Sequence, residues 1–311
     1  INQIPVNVVD SVDAKPNAFS ENQISGEEIS LVEVEKAHLK YSNHYEKDHD
    51  RGIALITSQR IGGMTVTYEY SQLNFASAIA AFVQHLPEKH ALTSGDIFQV
   101  VIGDDIADAV GKILTTFVTG LRLQIYDSID LDLSQATVLS ASESQFSTFF
   151  RQCENKKPKS LVADLVSKIQ VNLLSKGIFT QKDSKLRLIY LTRRMGSKPV
   201  FSLGNLNKLR AFFGARIVAE SMVAGVVGAV LVTDFYDYRV INTMGGYGSV
   251  AQADEIKLVT KDGVDDGLHG EVYIRGYNIG RLLKVRRTTE NEGYMPTGIT
   301  GLWGKDGCLY V

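Results

Sequence analysis

Residues Gly270 to Val285 read GEVYIRGYNIGRLLKV, and Glu292 to Val311 read EGYMPTGITGLWGKDGCLYV. Their short apolar runs, broken every few residues by glycine, have the texture of strands joined by tight turns. Glu255 to Val259, Gly270 to Ile274, Asn278 to Leu283 and Leu309 to Val311 are strand candidates, and no helix of ten residues fits beyond about Gly245. The pattern predicts a small antiparallel β unit, a sheet or an open, distorted barrel, over residues 246–311.

Upstream the texture differs. Ile53-Ala54-Leu55-Ile56, Phe98 to Ile102, Leu121 to Tyr126, Ala136 to Leu139 and Leu186 to Leu191 read as short buried strands. Between them, Leu73 to Val83, Asp104 to Val118, Glu143 to Arg151, Leu161 to Leu174 and Leu206 to Phe213 carry apolar residues at helical spacing. Strands alternating with helices imply a layered α/β unit with a mainly parallel sheet over residues 51–245. Residues 1–50 hold a short strand, Val6 to Val9, a polar stretch around Pro16 and Asn22, an alternating run from Ile29 to Val34, and the charged connector Glu46 to Arg51. They read as a lead-in strand and linker.

The 311 residues carry 33 Lys plus Arg against 35 Asp plus Glu, a net charge of -2, which leaves no overall electrostatic footprint for nucleic acid or an anionic membrane. The most apolar run, Met222 to Val232, is 11 residues long, whereas a spanning helix needs about 20, so no transmembrane segment is expected. The two cysteines, Cys153 and Cys308, are too far apart for a disulfide framework or a zinc site, and a reducing, intracellular and cytoplasmic setting is expected. The chain begins at Ile1 and ends on an apolar run, so it reads as a piece of a longer polypeptide.

Local motifs give little chemistry. Gly245-Gly246-Tyr247-Gly248 could cradle a phosphate, but a strand rather than a helix follows it, which favours a turn at a domain junction. Asp104, Asp105 and Asp108 could hold a divalent cation, yet carboxylates at a helix start are also what the macrodipole favours. The six histidines, His38, His44, His49, His85, His90 and His269, offer no ligand pair at helical spacing, and His85 and His90 flank Pro87 in an expected loop. No Gly-x-Ser-x-Gly string occurs. Arg281, Lys284, Arg286 and Arg287 form a basic group that reads as a solvated strand face.

The tail carries a resemblance. Gly270, Glu271, Arg275 and Gly276, then Gly293, Tyr294, Thr297, Gly298, Ile299 and Gly301, then Asp306 and Gly307 are similar, with spacing kept, to the end of the large N-terminal domain of the adenylate-forming family. The long-chain acyl-CoA synthetases match in particular. Asp254 to Val259 resembles the strand before that segment, Phe213 to Gly228 the acyl-pocket and adenine-binding stretch, and Ala54 to Leu73 the phosphate-loop segment. The resemblance covers most of the chain, starts inside the family's first subdomain and stops before its smaller domain with the catalytic lysine.

The resemblance implies a reaction whose parts this sequence lacks. In the phosphate loop Thr57 and Ser58 survive, but Gln59, Arg60 and Ile61 follow, and Met64, Thr65 and Val66 stand where the family has Pro-Lys-Gly. Ser221 to Gly225 stand where an aromatic ring stacks on adenine and a Glu holds Mg²⁺, Ile299 replaces the ribose-binding Asp, and the gate position falls near Ile106. Adenylation depends on Mg²⁺ and cationic donors around a pentavalent phosphate, so losing them together removes useful rate. The expectation is a catalytically inactive acyl-CoA-synthetase-like domain, a binding or scaffolding module with no catalytic residue, no metal site and no cofactor, whose partners are other proteins or further domains. The alternatives are an AMP-forming long-chain acyl-CoA ligase, using ATP and Mg²⁺ with Thr57, Ser58 and Thr297 on the nucleotide, and non-catalytic binding of a fatty acyl ligand.

Overall fold

The computed structural model describes residues 7–8, 52–61, 63–103, 105–127, 133–156, 161–180, 184–201, 203–239, 246–260, 267–283 and 293–311. Most of the 1–50 lead-in, together with Asp104, Gly245, Lys284, Arg286 and Arg287, lies outside the described residues. So do His38, His44 and His49.

The first long element is a hairpin, β2 (Ile53–Ile61) with β3 (Met64–Ser71), preceded by a two-residue strand, β1 (Asn7–Val8). Helix α1 (Gln72–Gln84) starts at Ser71, whose hydroxyl accepts the Asn74 N–H while the Asn74 side chain accepts the Ser71 N–H, a reciprocal cap. The α/β run continues with β4 (Ile97–Val101), α2 (Ile106–Thr119), β5 (Arg122–Tyr126), β6 (Val138–Ser142), α3 (Glu143–Lys156) and α4 (Leu161–Ser175). It closes with β7 (Leu188–Arg194), α5 (Leu203–Phe213) and β8 (Arg216–Met222). Short strands follow: β9 (Leu231–Val232), β10 (Tyr247–Val250), β11 (Asp254–Val259), β12 (His269–Gly276), β13 (Arg281–Leu282), β14 (Met295–Trp303) and β15 (Leu309–Tyr310).

Among the described residues twelve strands form one mixed sheet in the order β1-β5-β4-β6-β7-β8-β9-β10-β15-β14-β12-β11. The first six are parallel and the rest antiparallel. The expected β unit is therefore an open, linear extension of the parallel sheet. A separate sheet, β13-β3-β2, carries the hairpin.

Alternation along the parallel strands divides the core between two faces. Leu139, Ile189, Leu191 and Ile217 pack with Phe146, Phe149 and Leu209 from α3 and α5 on one face. Val138, Leu188, Tyr190 and Val218 pack with Ala109 and Phe82 from α2 and α1 on the other. Both faces being covered is why these strands read as continuous apolar runs. Met222 to Val232, open in sequence to an acyl pocket or to core packing, places Val223, Val226, Val230 and Leu231 in a core shared with Leu258, Val272 and Ile274.

Two local expectations are corrected. Ile53 to Ile56 is not a buried strand: Ile53 is 59% and Ile56 54% exposed, because β2 lies at the edge of the small sheet. Gly246 to Gly248 is no turn, since Tyr247 begins β10 and Gly248 lies against the Val232 backbone, where a Cβ would meet the carbonyl oxygen at 2.8 Å. His85 lies in the expected connection, as the C-cap of α1, and His90 ends a short 3-10 turn within it, Glu88–His90.

Candidate functional site

Strand β4 leads to β5 on one side, and the chain then crosses to β6 on the other side of β4, so the carboxyl ends of β4 and β6 form a topological switch point. Open α/β sheets take their ligands in that crevice. Here it is lined by Gly103, Asp105 and Asp108 after β4, Ser140 and Ser142 on β6, and Arg193, Arg194 and Met222 at the ends of β7 and β8. Its cavity is about 80 Å³. The Arg193 guanidinium lies so close over Gly246 that a Cβ there would collide with it, and Ser221, 2% exposed, is near the same point.

The acidic residues at this edge are committed to structure. Asp105 caps α2 by accepting the Asp108 N–H, and burial, reinforced by the Asp108 charge, raises its carboxyl to about 6. Asp108 accepts from Lys112 Nζ at 2.9 Å, and Lys112 reaches Glu220 Oε2 at 2.6 Å. Glu220 and Lys112 are 2% and 3% exposed. Burial raises the Glu220 carboxyl against the pull of Lys112. The two carboxylates in turn hold Lys112 above the ordinary lysine value despite its own burial. Asp105 and Asp108 thus serve a helix cap and an ion pair.

The predicted nucleotide contacts lie on two different sheets. Thr57 and Ser58 are neighbours on β2, so their side chains leave opposite faces. Thr57 is buried beside Tyr70, whereas Ser58 is exposed and bonds Thr67 Oγ1 at 2.9 Å. Thr297 lies in the other sheet, on β14, and donates to the Val272 carbonyl at 2.8 Å while accepting the Ile299 N–H at 3.2 Å. The turn after β8 is covered as well. Gly225, at φ 85°, has the Tyr68 ring packed where a Cβ would be, and Ile299 leans on Gly196. Ile106, the gate position, is 43% exposed at the start of α2.

A second cavity, about 180 Å³, lies between α1, β8 and the segment after it, lined by Ala78, Phe82, His85, Glu220, Val227 and Val232. His85 Nδ1 donates to the Phe82 carbonyl at 2.6 Å and burial lowers the ring to about 4, so it is neutral at pH 7. Sequence reasoning missed the Lys112 pair and the packing of Tyr68 on Gly225. Lone charges inside apolar runs, Lys112 in AVGKIL and Glu220 in IVAESM, were the available signal for the pair.

The fold is that of the large N-terminal domain of the acyl-CoA synthetases. The N-terminal domain of FACL13 from Mycobacterium tuberculosis, with an inhibitor bound, superposes with a TM-score of 0.61 at 13% identity, over 86% of this chain and 61% of that one. The long-chain-fatty-acid-CoA ligase FadD1 from Archaeoglobus fulgidus gives 0.60 at 17% identity, over 86% and 52%. O-succinylbenzoate coenzyme A synthetase from Bacillus subtilis, in complex with ATP and magnesium ion, gives 0.58 at 14% identity, over 84% and 50%. No protein-family model matches the chain. In sequence it is 27% identical over 319 residues to the uncharacterized protein YHR045W of Saccharomyces cerevisiae, covering 85% of this chain. The match spans 56% of that relative's length.

Proposed function

We propose that the chain is a catalytically inactive acyl-CoA-synthetase-like domain that works as an intracellular, cytoplasmic binding or scaffolding module, with other proteins or further domains of a longer polypeptide as its partners. One observation carries the reading. The crevice at the switch point holds only about 80 Å³, whereas pockets for nucleotide-sized ligands measure about 300–1,000 Å³. The burial of Thr57 and the hydrogen bonds of Ser58 to the Thr67 hydroxyl and of Thr297 to the Val272 carbonyl support it further.

Calorimetry with millimolar ATP·Mg²⁺ tests the reading, together with a pyrophosphate-release assay using fatty acid and coenzyme A on the full-length protein. No binding heat and no pyrophosphate are expected. Measurable ATP affinity would sink the inactive reading, and fatty-acid-dependent pyrophosphate would establish the ligase. The about 180 Å³ cavity beside Phe82 and Val227 favours a second reading, non-catalytic binding of a short acyl group, since a long chain needs more room. Native mass spectrometry showing a co-purified acyl ligand would support it.

A further inference from the structure

The buried ionic group shared by α2 and β8 does not balance. Asp108 and Glu220 divide the single ammonium of Lys112 between them, so the three side chains carry one net negative charge when both carboxyls are ionised. Buried charges are ordinarily paired. Lys112 reaches Glu220 through Oε2 at 2.6 Å, and the other Glu220 oxygen has no hydrogen-bond partner among the described residues. Glu220, 2% exposed, is also part of the wall of the about 180 Å³ cavity beside Phe82. Burial raises its carboxyl, as expected of a carboxylate short of positive charge. The cavity wall supplies none: no lysine or arginine lines it, and His85 is neutral at pH 7. Two of its residues hold acceptors without a donor, His85 Nε2 and Asn278 Oδ1.

We propose that this cavity binds a small organic ammonium ion, a primary amine on an apolar body, with Glu220 as its counter-ion. The amine supplies the positive charge that the buried group lacks, through a charge-assisted hydrogen bond to the Glu220 carboxylate. Its body packs on Ala78, Val227 and Val232, and the rings of Phe82 and Phe235 in the same wall favour a cation over their faces. Volume sets the size of that body. A cavity of about 150 Å³ accepts benzene, so about 180 Å³ has room for a benzyl or a short branched alkyl amine. A carboxylate of the same size meets Glu220 with no cation in the wall to offset the repulsion. The proposal is independent of whether the crevice at the switch point binds a nucleotide. It gives the ligand the opposite charge from a short fatty acid, which would use the same cavity.

Calorimetry of the whole chain with benzylamine, benzyl alcohol and benzoate tests it, since the three share a ring and differ in the charge of the head group. Benzylamine is expected to bind at millimolar concentration, at least about ten-fold more tightly than benzyl alcohol, with benzoate weakest. Glu220→Gln keeps the shape of the side chain and leaves Asp108 and Lys112 as a balanced pair. It should weaken benzylamine at least about ten-fold and leave benzyl alcohol unchanged. Ala81→Phe fills the cavity from α1 and should abolish benzylamine binding. Ala81 is only half-buried, so this second variant keeps the test decisive if Glu220→Gln disturbs folding. No benzylamine binding at millimolar concentration, or undiminished binding by either variant, would overturn the proposal. So would benzoate binding as tightly as benzylamine, which would return the cavity to an acyl ligand.

Discussion

Lys112 Nζ on α2 lies 2.6 Å from Glu220 Oε2 on β8, with Asp108 Oδ2 at 2.9 Å on its other side, and all three residues are buried. Glu220 lines the larger cavity and Asp108 the crevice at the switch point, so one ammonium group braces the wall between them. Removing one member of a buried ionic group strands the others in a low dielectric. Lys112→Met should therefore destabilise the fold by about 3–5 kcal/mol. Adding Asp108→Leu and Glu220→Leu should recover much of that loss. Urea denaturation of the single and triple variants measures both, and a mild effect of Lys112→Met would show that water reaches the pair.

Asp254 and Asp105 make stability fall as pH rises, and Asp96 works the other way. Burial raises Asp254 to about 7 and Asp105 to about 6. Each binds a proton more tightly folded than unfolded, so its contribution is full below about pH 4 and declines up to its folded value. Asp96 is held down to about 2, because Arg187, the Thr93 N–H and the Thr137 hydroxyl outweigh its burial. Its contribution is present above about pH 4 and lost as the pH falls toward 2. Asp254 also has a structural remedy. Its Oδ1 and that of Asn278 both lack a donor, and both lean over Gly276, where a Cβ would meet them at 2.7 and 2.5 Å. Asp254→Asn supplies the donor without the charge and should stabilise the chain at pH 8 by about 2 kcal/mol, with little effect at pH 4. Thermal melts across that range decide it.

The start of α1 gives a smaller, cleaner test. Ser71 and Asn74 satisfy each other's backbone N–H groups at 3.3 and 2.7 Å, and Asn74 Nδ2 also donates to the Tyr277 and Ile279 carbonyls. Ser71→Ala should cost about 1 kcal/mol. Asn74→Ala should cost more, because it also releases the turn that leads into β13. Denaturant midpoints of the two variants test the order.

Much of this fold is written in local pattern. Leu188 to Leu191 is apolar because both faces of β7 are covered, and Asp105 caps α2 where a helix start was expected. The Gly-Glu…Arg-Gly string spans β12, whose last residue, Gly276, has no room for a side chain. What the sequence does not carry is which residues meet across long separations. Ile53 to Ile56 has the composition of a buried strand, and only the sheet order makes it an edge. Thr57 and Ser58 look alike as hydroxyls, but the strand's period of two sends one inward and one to solvent. The approach of the Arg193 side chain on β7 to Gly246, just before β10, is equally non-local.

The last such meeting, of Tyr68 with Gly225, is open to direct test. Gly225 has φ 85°, which other L-residues adopt at a cost, and the Tyr68 ring fills the space a side chain would need. Gly225→Ala therefore combines backbone strain with a steric clash, and it should destabilise by about 2 kcal/mol or more. Tyr68→Ala removes the ring and should cost about 3 kcal/mol through lost burial. If the two residues are coupled through that contact, the double variant should be more stable than the sum of the single losses predicts, with an interaction of about 1 kcal/mol. Strict additivity in a double-mutant cycle would mean that the ring moves aside freely, leaving only the backbone strain at Gly225.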